Sequence, residues 1–280
     1  MLVTMKEMLE TARKEKYAVG GFEFWSLDSA YAVIEAANSF KTPVILQVGG
    51  YESSYMGGYA NSRKIAEIAA EEAQFGVALH FDHAEEYDEI CRALDAGLTS
   101  VMIDASKLPL NENISITQKV VETAKKYGAS VEAELGKIGG NEGNIAVSSS
   151  EETDAEEAAM FVRETGIDAL AVAIGTAHGF YKSTPRINIE RLKEIAAVVE
   201  IPLVLHGGSG TPEDKITESI ANGIAKINIC TEFIAAFGKG YIQAQNMQGF
   251  SYNVPSFFKY AKENARSLVE EKMKLFLGII

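Results

Sequence analysis

The sequence predicts an α/β fold, a single-domain TIM (β/α)8 barrel, on three observations. Short apolar segments alternate with amphipathic stretches along all 280 residues, which is the element order of parallel α/β proteins. The apolar segments lack a strict alternation of apolar and polar residues, as expected for strands covered on both faces. No linker, low-complexity tract or charge block divides the chain, so residues 1–280 fit one barrel of ordinary size. A doubly wound open sheet is the alternative fold.

Eight strands are predicted from segments that are β-branched or rich in Ala. They cover residues 18–22, 43–48, 77–81, 100–104, 130–134, 169–174, 202–206 and 226–230. The intervening stretches carry helix signals: Thr153-x-x-Glu156 is typical of a capping box, and Thr211 precedes Pro212 at another helix start. Glycines just past four helical stretches predict left-handed helix ends. These are Gly76, Gly97, Gly128 and Gly166.

Two long segments and the C-terminal tail complete the predicted architecture. Residues 47–60 and 136–150 are rich in Gly and Ser and follow predicted strands. Loops of that length in a compact enzyme usually form lids or binding loops. Residues 255–276 are predicted to form a last amphipathic helix, whose aromatic side chains offer a contact between subunits.

Charge and cysteine content exclude several classes of protein. The chain has 26 Lys and Arg against 39 Asp and Glu, a formal net charge of −13, which argues against a nucleic-acid or membrane-surface binder. No apolar run reaches membrane-spanning length, and the first residues lack a secretory pattern. Cys91 and Cys230 form neither a disulfide framework nor a CxxC pair. A cytoplasmic protein is expected.

Three of the four histidines fall at or just after the end of a predicted strand: His83, His178 and His206. In a barrel the carboxyl ends of all strands meet at one rim, so these side chains are expected to be neighbours. Three imidazoles with an open position form a catalytic zinc site. Carboxylates in similar positions could add a ligand or hold a second cation; they are Asp82, Asp104 and Glu134. His80 lies within its strand and is interpreted as a buried structural residue.

The run from His206 to Gly210, which reads His-Gly-Gly-Ser-Gly, predicts an anion site. Its glycines allow backbone N–H groups to point at one anion, and the helix that follows adds partial positive charge. Asn228 and Thr231 follow the eighth strand and offer side-chain donors. The loops after strands seven and eight are the common phosphate site of barrels. An acidic chain needs such a local site because its overall field repels anions.

Five motifs in sequence order carry a family resemblance. They are Asp82-His83; Val131-Glu132-Ala133-Glu134-Leu135-Gly136 with Gly139-Gly140-x-Glu142; Ala173-Ile174-Gly175-Thr176-Ala177-His178-Gly179; Leu205-His206-Gly207-Gly208-Ser209-Gly210; and Asn228-Ile229-x-Thr231. Together, over nearly the whole chain, they resemble the class II ketose-bisphosphate aldolases. That zinc-dependent family contains fructose-1,6-bisphosphate and tagatose-1,6-bisphosphate aldolases. The resemblance implies a lyase of glycolytic-type carbohydrate metabolism that acts on a phosphorylated sugar and assembles as a homodimer or homotetramer.

The resemblance also implies a role for each matching residue. The implied metal ligands are His83, His178 and His206 for Zn²⁺, and Asp104 and Glu134 for a second cation such as Na⁺ or K⁺. Asp82 would act on the C4 hydroxyl, and Glu142, on the Gly-rich loop, would transfer a second proton. The implied contacts to the dihydroxyacetone phosphate moiety are Gly179, Lys182, Gly207, Gly208, Ser209, Asn228 and Thr231.

The residue types fit this chemistry in their own right. Cleavage of a C3–C4 bond beside a ketone needs a Lewis acid for the developing ene-diolate, which zinc supplies. A base must take the C4 hydroxyl proton, and Asp82 adjoins a predicted zinc ligand. A second group must protonate the ene-diolate carbon, and Glu142 can close over it from its loop.

The chain departs from the family pattern where the far end of the substrate is expected. The family has Phe-Asn-x-x-Asn where residues 22–26 read Phe-Glu-Phe-Trp-Ser, and a carboxylate at Glu23 repels an anion. Phe258 stands where the family has an arginine that binds the second phosphate, a clamp that phenylalanine cannot form. We therefore expect a ketose 1-phosphate without a distal phosphate. The candidate distal contacts are Glu23, Trp25 and Gln47.

Four alternatives remain open from the sequence. A conventional fructose- or tagatose-1,6-bisphosphate aldolase would find its second phosphate with Lys259, Arg63 or Arg266. Another zinc-dependent sugar-phosphate barrel enzyme could share the three histidines. A non-catalytic sugar-sensing relative is disfavoured, because this chain keeps all the expected ligands. Schiff-base chemistry would require a desolvated lysine, for which Lys226 is the candidate.

Overall fold

The computed structural model describes residues 2–142, 145–147, 150–181, 183–248 and 253–279. Eight parallel strands surround one axis. They are β2 (Val19–Glu23), β3 (Val44–Val48), β4 (Val77–Ala84), β5 (Ser100–Ile103), β6 (Ser130–Leu135), β9 (Ala169–Val172), β11 (Leu203–Leu205) and β12 (Ile224–Ile229). The hydrogen-bonded order is β4-β3-β2-β12-β11-β9-β6-β5, and β4 also pairs with β5. This pairing closes the ring, so the predicted barrel is confirmed and the open sheet is excluded.

Four shorter strands and the helices complete the chain. The strands are β1 (Leu2–Val3), β7 (Gly139–Glu142), β8 (Ile145–Val147) and β10 (Ala177–His178). The helices are α1 (Lys6–Glu15), α2 (Leu27–Phe40), α3 (Gly50–Tyr55), α4 (Tyr59–Glu71), α5 (Tyr87–Asp95), α6 (Leu110–Tyr127), α7 (Ala155–Thr165), α8 (Ile189–Val198), α9 (Glu213–Ala221), α10 (Thr231–Gln248) and α11 (Val254–Phe276). The last of these confirms the predicted C-terminal helix. Within the described chain, no helix combines the length and apolarity needed to cross a bilayer.

The barrel interior changes from apolar to polar along its axis. At the amino-terminal end, α1 covers the opening with Met5 and Leu9, which are fully buried against interior residues such as Ile45 and Val204. Side chains two residues apart on a strand face the same side, so the strands continue into the barrel interior towards their carboxyl ends. In that part of the interior the side chains are polar and buried; they are Gln47, His80, Asp82, Glu132, Lys226 and Asn228. The carboxyl-terminal mouth therefore holds the groups capable of chemistry.

Some predicted helix boundaries are corrected by side-chain hydrogen bonds. Asp154, not Thr153, caps α7 and accepts the N–H groups of Glu156 and Glu157, while Thr153 bonds to Leu135 and Ala173. The helix after Pro212 begins at Glu213, because the Thr211 hydroxyl bonds back to the carbonyl of Gly207 instead of capping.

Three of the four predicted glycine helix ends are confirmed. Gly97, Gly128 and Gly166 have φ of 87°, 66° and 68°, values that glycine adopts without steric cost. Gly76 is different: α4 already ends at Glu71, and the Gly76 carbonyl accepts the N–H of Val44 at 3.0 Å. Gly76 thus introduces strand β4 instead of ending a helix.

Both predicted long loops contain regular structure. Residues 47–60 include the short helix α3 and the start of α4. Within residues 136–150, β7 pairs antiparallel with β8 and parallel with β10. Gly140 makes that second pairing possible: it has φ of 104°, and a Cβ there would lie 2.2 Å from the carbonyl oxygen of His178. The glycine-rich hairpin is therefore attached directly beside His178.

Candidate metal centre and active site

His83 has a strained backbone at the end of β4. Its φ is 51°, in the left-handed region, and the pairing of β4 with β5 shifts register between Phe81 and Ala84. For a residue other than glycine such a conformation costs about 1 to 3 kcal/mol and is concentrated at functional sites. The irregularity interrupts the strand alternation, so that Asp82 and His83 both contact groups in the barrel mouth.

The structure brings His83, His178 and His206 together. Their ring centroids are 4.8 Å apart for His83–His178, 4.5 Å for His83–His206 and 5.8 Å for His178–His206. One ring nitrogen from each lies within 4.8 Å of the others. His83 lies at the end of β4 and His206 directly follows β11, whereas His178 lies in β10, in the segment after β9. One ring nitrogen from each faces the same point.

The hydrogen bonds of two rings leave nitrogen lone pairs for a metal ion. His83 Nδ1 lies 3.2 Å from Asp104 Oδ2, and His206 Nε2 lies 2.8 Å from Glu132 Oε1. Each carboxylate accepts a hydrogen bond, so the ring nitrogen that faces it carries the proton, and His83 Nε2 and His206 Nδ1 are left unprotonated. These two nitrogens lie only 2.7 Å apart. A divalent ion held by these histidines would satisfy both lone pairs, and a set of three imidazoles suits zinc.

A carboxylate pair lies beside His83. The ligand atoms of His83, Asp104 and Glu134 lie within 4.8 Å of one another. Burial opposes ionisation of Asp104, but hydrogen bonds from His83 and Ser106 outweigh it and hold the pKa of Asp104 well below its usual range. Burial and the neighbouring Asp104 raise the pKa of Glu134 well above its usual range. Such a pair could hold a second cation, which would relieve the repulsion between the two carboxylates.

Asp82 is buried and tightly hydrogen-bonded. Its Oδ2 accepts the amide N–H groups of Gln47 at 2.8 Å and Asn228 at 2.9 Å. Its Oδ1 lies 3.7 Å from the amino group of Lys226. Burial opposes ionisation of Asp82, yet Lys226 and the nearby histidines hold its pKa well below the usual range. Asp82 is therefore a carboxylate, the form that can accept a proton.

Two buried charged residues were given no role beside the metal ligands in the sequence analysis, where Lys226 was named only as a candidate for Schiff-base chemistry. Glu132 lies between His206 and Lys226, whose amino group is 2.8 Å from Glu132 Oε2. Alternation in β6 places Glu132 on the same face as Glu134, two residues on. A charged residue inside a strand predicted to be covered on both faces must be paired, and that signal could have identified both Glu132 and Lys226.

His80 occupies the expected structural position. Its ring is fully buried within β4, and Nδ1 lies 2.7 Å from the hydroxyl of Ser100. Its ligand atoms, with those of Asp82 and Glu132, form another compact group. Lys226 already contacts both of those carboxylates, so a positive charge is supplied there by the chain itself.

Three loops meet where the phosphate site is predicted. Ser209 Oγ accepts the N–H of Glu232 at 3.2 Å, which links the loop after β11 to the start of α10 at Thr231. The Tyr181 hydroxyl donates to the Gly207 carbonyl at 2.8 Å and accepts the N–H of Ala177 at 3.0 Å, so the loop around Gly179 lies against the same region. Gly208 lies in this loop too. Asn228 instead lies deeper, with its amide nitrogen near Asp82 and 3.3 Å from His206 Nδ1.

The candidate distal residues occupy different environments. Glu23 is 3% exposed at the end of β2, and its Oε1 accepts the N–H of Gly49 at 2.5 Å. Gln47, its partner in β3, contacts Asp82. Trp25 packs against Phe233 and Phe237 of α10, with ring centroids 5.5 Å and 5.3 Å away.

The positions suggested for a second phosphate lie on the outer helices. Phe258 in α11 packs against Tyr241, with ring centroids 5.8 Å apart. Arg63 bonds to the Gly97 carbonyl, which precedes β5 at the amino-terminal end of the barrel. Arg266 pairs with Glu270 and Glu35, and Lys259 lies 3.9 Å from Glu263.

Two predicted site residues lie outside the described side chains. Lys182 falls between the described ranges. The backbone of Glu142 ends β7, but its side chain is outside the described part of the structure. Pairing of Gly140 with His178 places the backbone of this strand next to the histidine cluster.

Comparison with known proteins gives consistent matches over nearly the full length. The family model described as fructose-bisphosphate aldolase class-II matches residues 3–278. The fructose-bisphosphate aldolases of Staphylococcus aureus (strain Mu50) and Staphylococcus epidermidis (strain ATCC 35984) are each 40% identical over 277 residues, covering 98% of this chain and 97% of the relative. The crystal structure of the YdjI aldolase from Escherichia coli K12 matches with a TM-score of 0.86 and 34% identity, over 99% of this chain and 97% of that chain.

Proposed function

The chain belongs to the class II fructose-bisphosphate aldolase family, a family of lyases, and we propose that it reversibly cleaves a ketose 1-phosphate to dihydroxyacetone phosphate and an aldehyde. The family acts on phosphorylated sugars and depends on zinc. The observation that carries the finer proposal is the buried carboxylate of Glu23 at the mouth of the barrel. The family pattern has Asn at this position, near the part of the substrate that carries the second phosphate, so we take Glu23 as the residue that faces the distal end.

The three imidazoles are the proposed zinc site, and the donor set supports this. Zinc held by His83, His178 and His206 supplies a Lewis acid for the negative charge that develops as the C3–C4 bond breaks. Asp104 and Glu132 fix the orientation of two of the rings through their other nitrogens. The second-cation site is proposed at Asp104 and Glu134, where a monovalent ion such as Na⁺ or K⁺ would offset the adjacent carboxylates.

Asp82 is proposed as the group that takes the C4 hydroxyl proton. It adjoins His83 in the chain and is held as a carboxylate. Gln47 and Asn228 each donate one amide N–H to Oδ2 of Asp82, so the carboxylate has a fixed orientation. Glu142 remains the proposed donor of the proton to the ene-diolate carbon, because its hairpin is attached beside His178.

The dihydroxyacetone phosphate end is proposed to lie over the loops after β11 and β12. Backbone N–H groups at Gly207, Gly208 and Ser209, together with Thr231 at the start of α10, form a local site for an anion. Gly179 and Lys182 are proposed as further contacts from the loop after β9, which Tyr181 joins to Gly207.

The distal end of the substrate is proposed to be uncharged. Glu23 is held by the N–H of Gly49, so its carboxylate cannot turn away from a bound ligand without losing that bond. A hydroxylated aldehyde portion can donate hydrogen bonds to it, whereas a phosphate would be repelled. Gln47 and Trp25 are the other proposed contacts at this end.

A 1,6-bisphosphate substrate is the alternative within the family, and the names of the curated relatives favour it. Its second phosphate would need a cation from Lys259, Arg63 or Arg266. Arg63 bonds at the opposite end of the barrel, and Arg266 is paired with acids of the outer helices. Lys259, which is exposed on α11 and lies 3.9 Å from Glu263, is the remaining candidate of the three.

Assembly and location form part of the proposal. We propose a homodimer or homotetramer that buries the apolar side chains exposed on α10 and α11. These include Ile242, Met247, Val254 and Phe258, which are 58%, 64%, 47% and 39% exposed. A cytoplasmic location is proposed because phosphorylated sugars are retained there by their charge.

A comparison of aldehyde acceptors tests the substrate proposal. Dihydroxyacetone phosphate is offered with glyceraldehyde, longer neutral hydroxyaldehydes and glyceraldehyde 3-phosphate, and the initial rate of aldol addition is measured. We expect a neutral aldehyde to give the highest kcat/KM. A clear preference for glyceraldehyde 3-phosphate would show that the enzyme is a bisphosphate aldolase instead.

A further inference from the structure

We propose that Glu132 and Lys226 act together as positioning residues for the zinc ligand His206. The inference rests on the proposed zinc site and deepens it. Neither residue touches the common point of the three histidines; both lie beneath it in the barrel interior, where Glu132, Lys226 and the His206 ring are fully buried. Their effect would be exerted through the imidazole of His206.

The first step is the hydrogen bond between Glu132 and His206. Oε1 of Glu132 lies 2.8 Å from Nε2 of His206. Because a carboxylate only accepts, Nε2 must carry the proton, and Nδ1 becomes the nitrogen that faces His83. Carboxylates bonded to the far nitrogen of a ligating histidine fix its tautomer and ring orientation and increase its basicity.

The second step is the pairing of Glu132 with Lys226. The Lys226 amino group lies 2.8 Å from Glu132 Oε2, with no exposure of either side chain. An isolated carboxylate in this interior would be strongly disfavoured. Lys226 supplies the positive charge that a buried Glu132 carboxylate requires, and the same carboxylate accepts the N–H of His206 through its other oxygen.

The third step is the contact of Lys226 with Asp82. The amino group lies 3.7 Å from Asp82 Oδ1, so one buried lysine contacts both the carboxylate behind the metal ligand and the proposed acid–base group. This arrangement gives Lys226 a role that needs no covalent bond to substrate.

The proposal is tested by measuring zinc binding instead of enzyme activity. A wrong assignment of the substrate would therefore not affect the result. Metal-free protein is titrated with zinc against a chromophoric chelator, and the visible spectrum of the cobalt-loaded protein reports the ligand geometry. Glu132→Asp keeps the buried charge but shortens the reach to His206. Glu132→Leu with Lys226→Met replaces the ion pair by apolar side chains, which buried sites often tolerate.

We expect the zinc Kd of both proteins to be weakened about 10- to 100-fold, with an altered cobalt spectrum. The Tm of the metal-free double variant should remain near that of the parent. Ser100→Ala is the matched control: it removes the 2.7 Å partner of His80, a buried histidine in the same interior, and should leave the zinc Kd unchanged. Parental zinc affinity and cobalt spectrum in either Glu132 protein would overturn the proposal.

Discussion

At the scale of one residue, the proposed preference for a substrate with an uncharged distal end depends on the buried carboxylate of Glu23. The Glu23→Asn substitution removes the carboxylate and leaves a side chain that can still accept the Gly49 N–H. We expect the ratio of kcat/KM for fructose 1,6-bisphosphate to that for fructose 1-phosphate to rise about tenfold, on the order of 1.4 kcal/mol of relieved repulsion.

Steady-state kinetics with both sugars measure that ratio. Glu67→Gln, which removes the same charge from the outer helix α4, should leave the ratio as in the parent. If Glu23→Asn behaves like this control, Glu23 does not act on the distal end of the substrate.

Residue-scale prediction from the sequence succeeded where a side chain is placed by strand topology. His83, His178 and His206 were expected to be neighbours because each lies at or beyond the end of a different strand, and the structure brings their rings together. The left-handed backbone of His83 and the pairing of His178 with Gly140 were not predicted. The pairing of Glu132 with Lys226 joins residues 94 positions apart, and it depends on which inward side chains face each other across the barrel. Which side chains face each other is set by the tilt and register of the strands, and the pattern of apolar residues in the sequence does not specify either.

The β7–β8 hairpin is the element whose attachment depends on one glycine. In Gly140→Ala the new methyl group would collide with the backbone of His178, and a positive φ adds strain. We expect turnover to fall more than tenfold while the Tm changes little, because the hairpin lies outside the barrel strands.

Gly128→Ala provides the control for Gly140→Ala. Gly128 also has a positive φ, 66°, at the end of α6, but there a Cβ meets no neighbour within 4 Å. That protein should lose about 1 kcal/mol of stability and keep its activity. Equal activities of the two variants would contradict a role for the attached hairpin.

Tyr59, at the start of helix α4, is expected to make the free energy of unfolding depend on pH. Burial, with a contribution from Glu89, raises the pKa of Tyr59 to about 12 from the ordinary value of 10.0. The unfolded chain therefore loses this proton first as pH rises, and unfolding becomes more favourable between those two values. We expect the free energy of unfolding of the parent to fall over this range more steeply than that of Tyr59→Phe. Parallel urea-denaturation profiles would contradict the assignment.

At the element scale, the barrel strands were predictable because each is a short apolar run. Helix α3 was missed because Gly49, Gly50 and two serines favour a loop by composition, although the Ser53 N–H bonds to the Gly49 carbonyl at 3.1 Å. Strand β7 was missed because its partner β10 follows it at a distance in the chain, and glycine-rich strands have little intrinsic preference. Tertiary pairing decided the case of β7, whereas α3 forms through hydrogen bonds of its own backbone.

The whole molecule is predicted to be an oligomer through α10 and α11. Ile242→Asp places a charge in the exposed apolar surface of these helices. Sedimentation should show the parent as a dimer or tetramer and the variant as a smaller species. Val198→Asp, at the end of α8 and 49% exposed, should sediment like the parent. A monomeric parent would contradict the assembly.

Metal removal tests the mechanism in the intact enzyme. We expect incubation with EDTA to abolish aldol cleavage and added zinc to restore it, because no other Lewis acid is supplied by the site. Treatment with substrate and borohydride should leave the enzyme active, since Lys226 is paired with carboxylates. Inactivation by borohydride would instead indicate a Schiff base.

X-ray absorption at the zinc edge tests the central claim most directly. The account predicts one zinc per chain with three imidazole nitrogens at about 2.0 to 2.1 Å and no sulfur ligand. In each of His83→Ala, His178→Ala and His206→Ala, the number of imidazole ligands should fall by one. A zinc environment that keeps three imidazoles in any of these variants, or that contains sulfur, would contradict it.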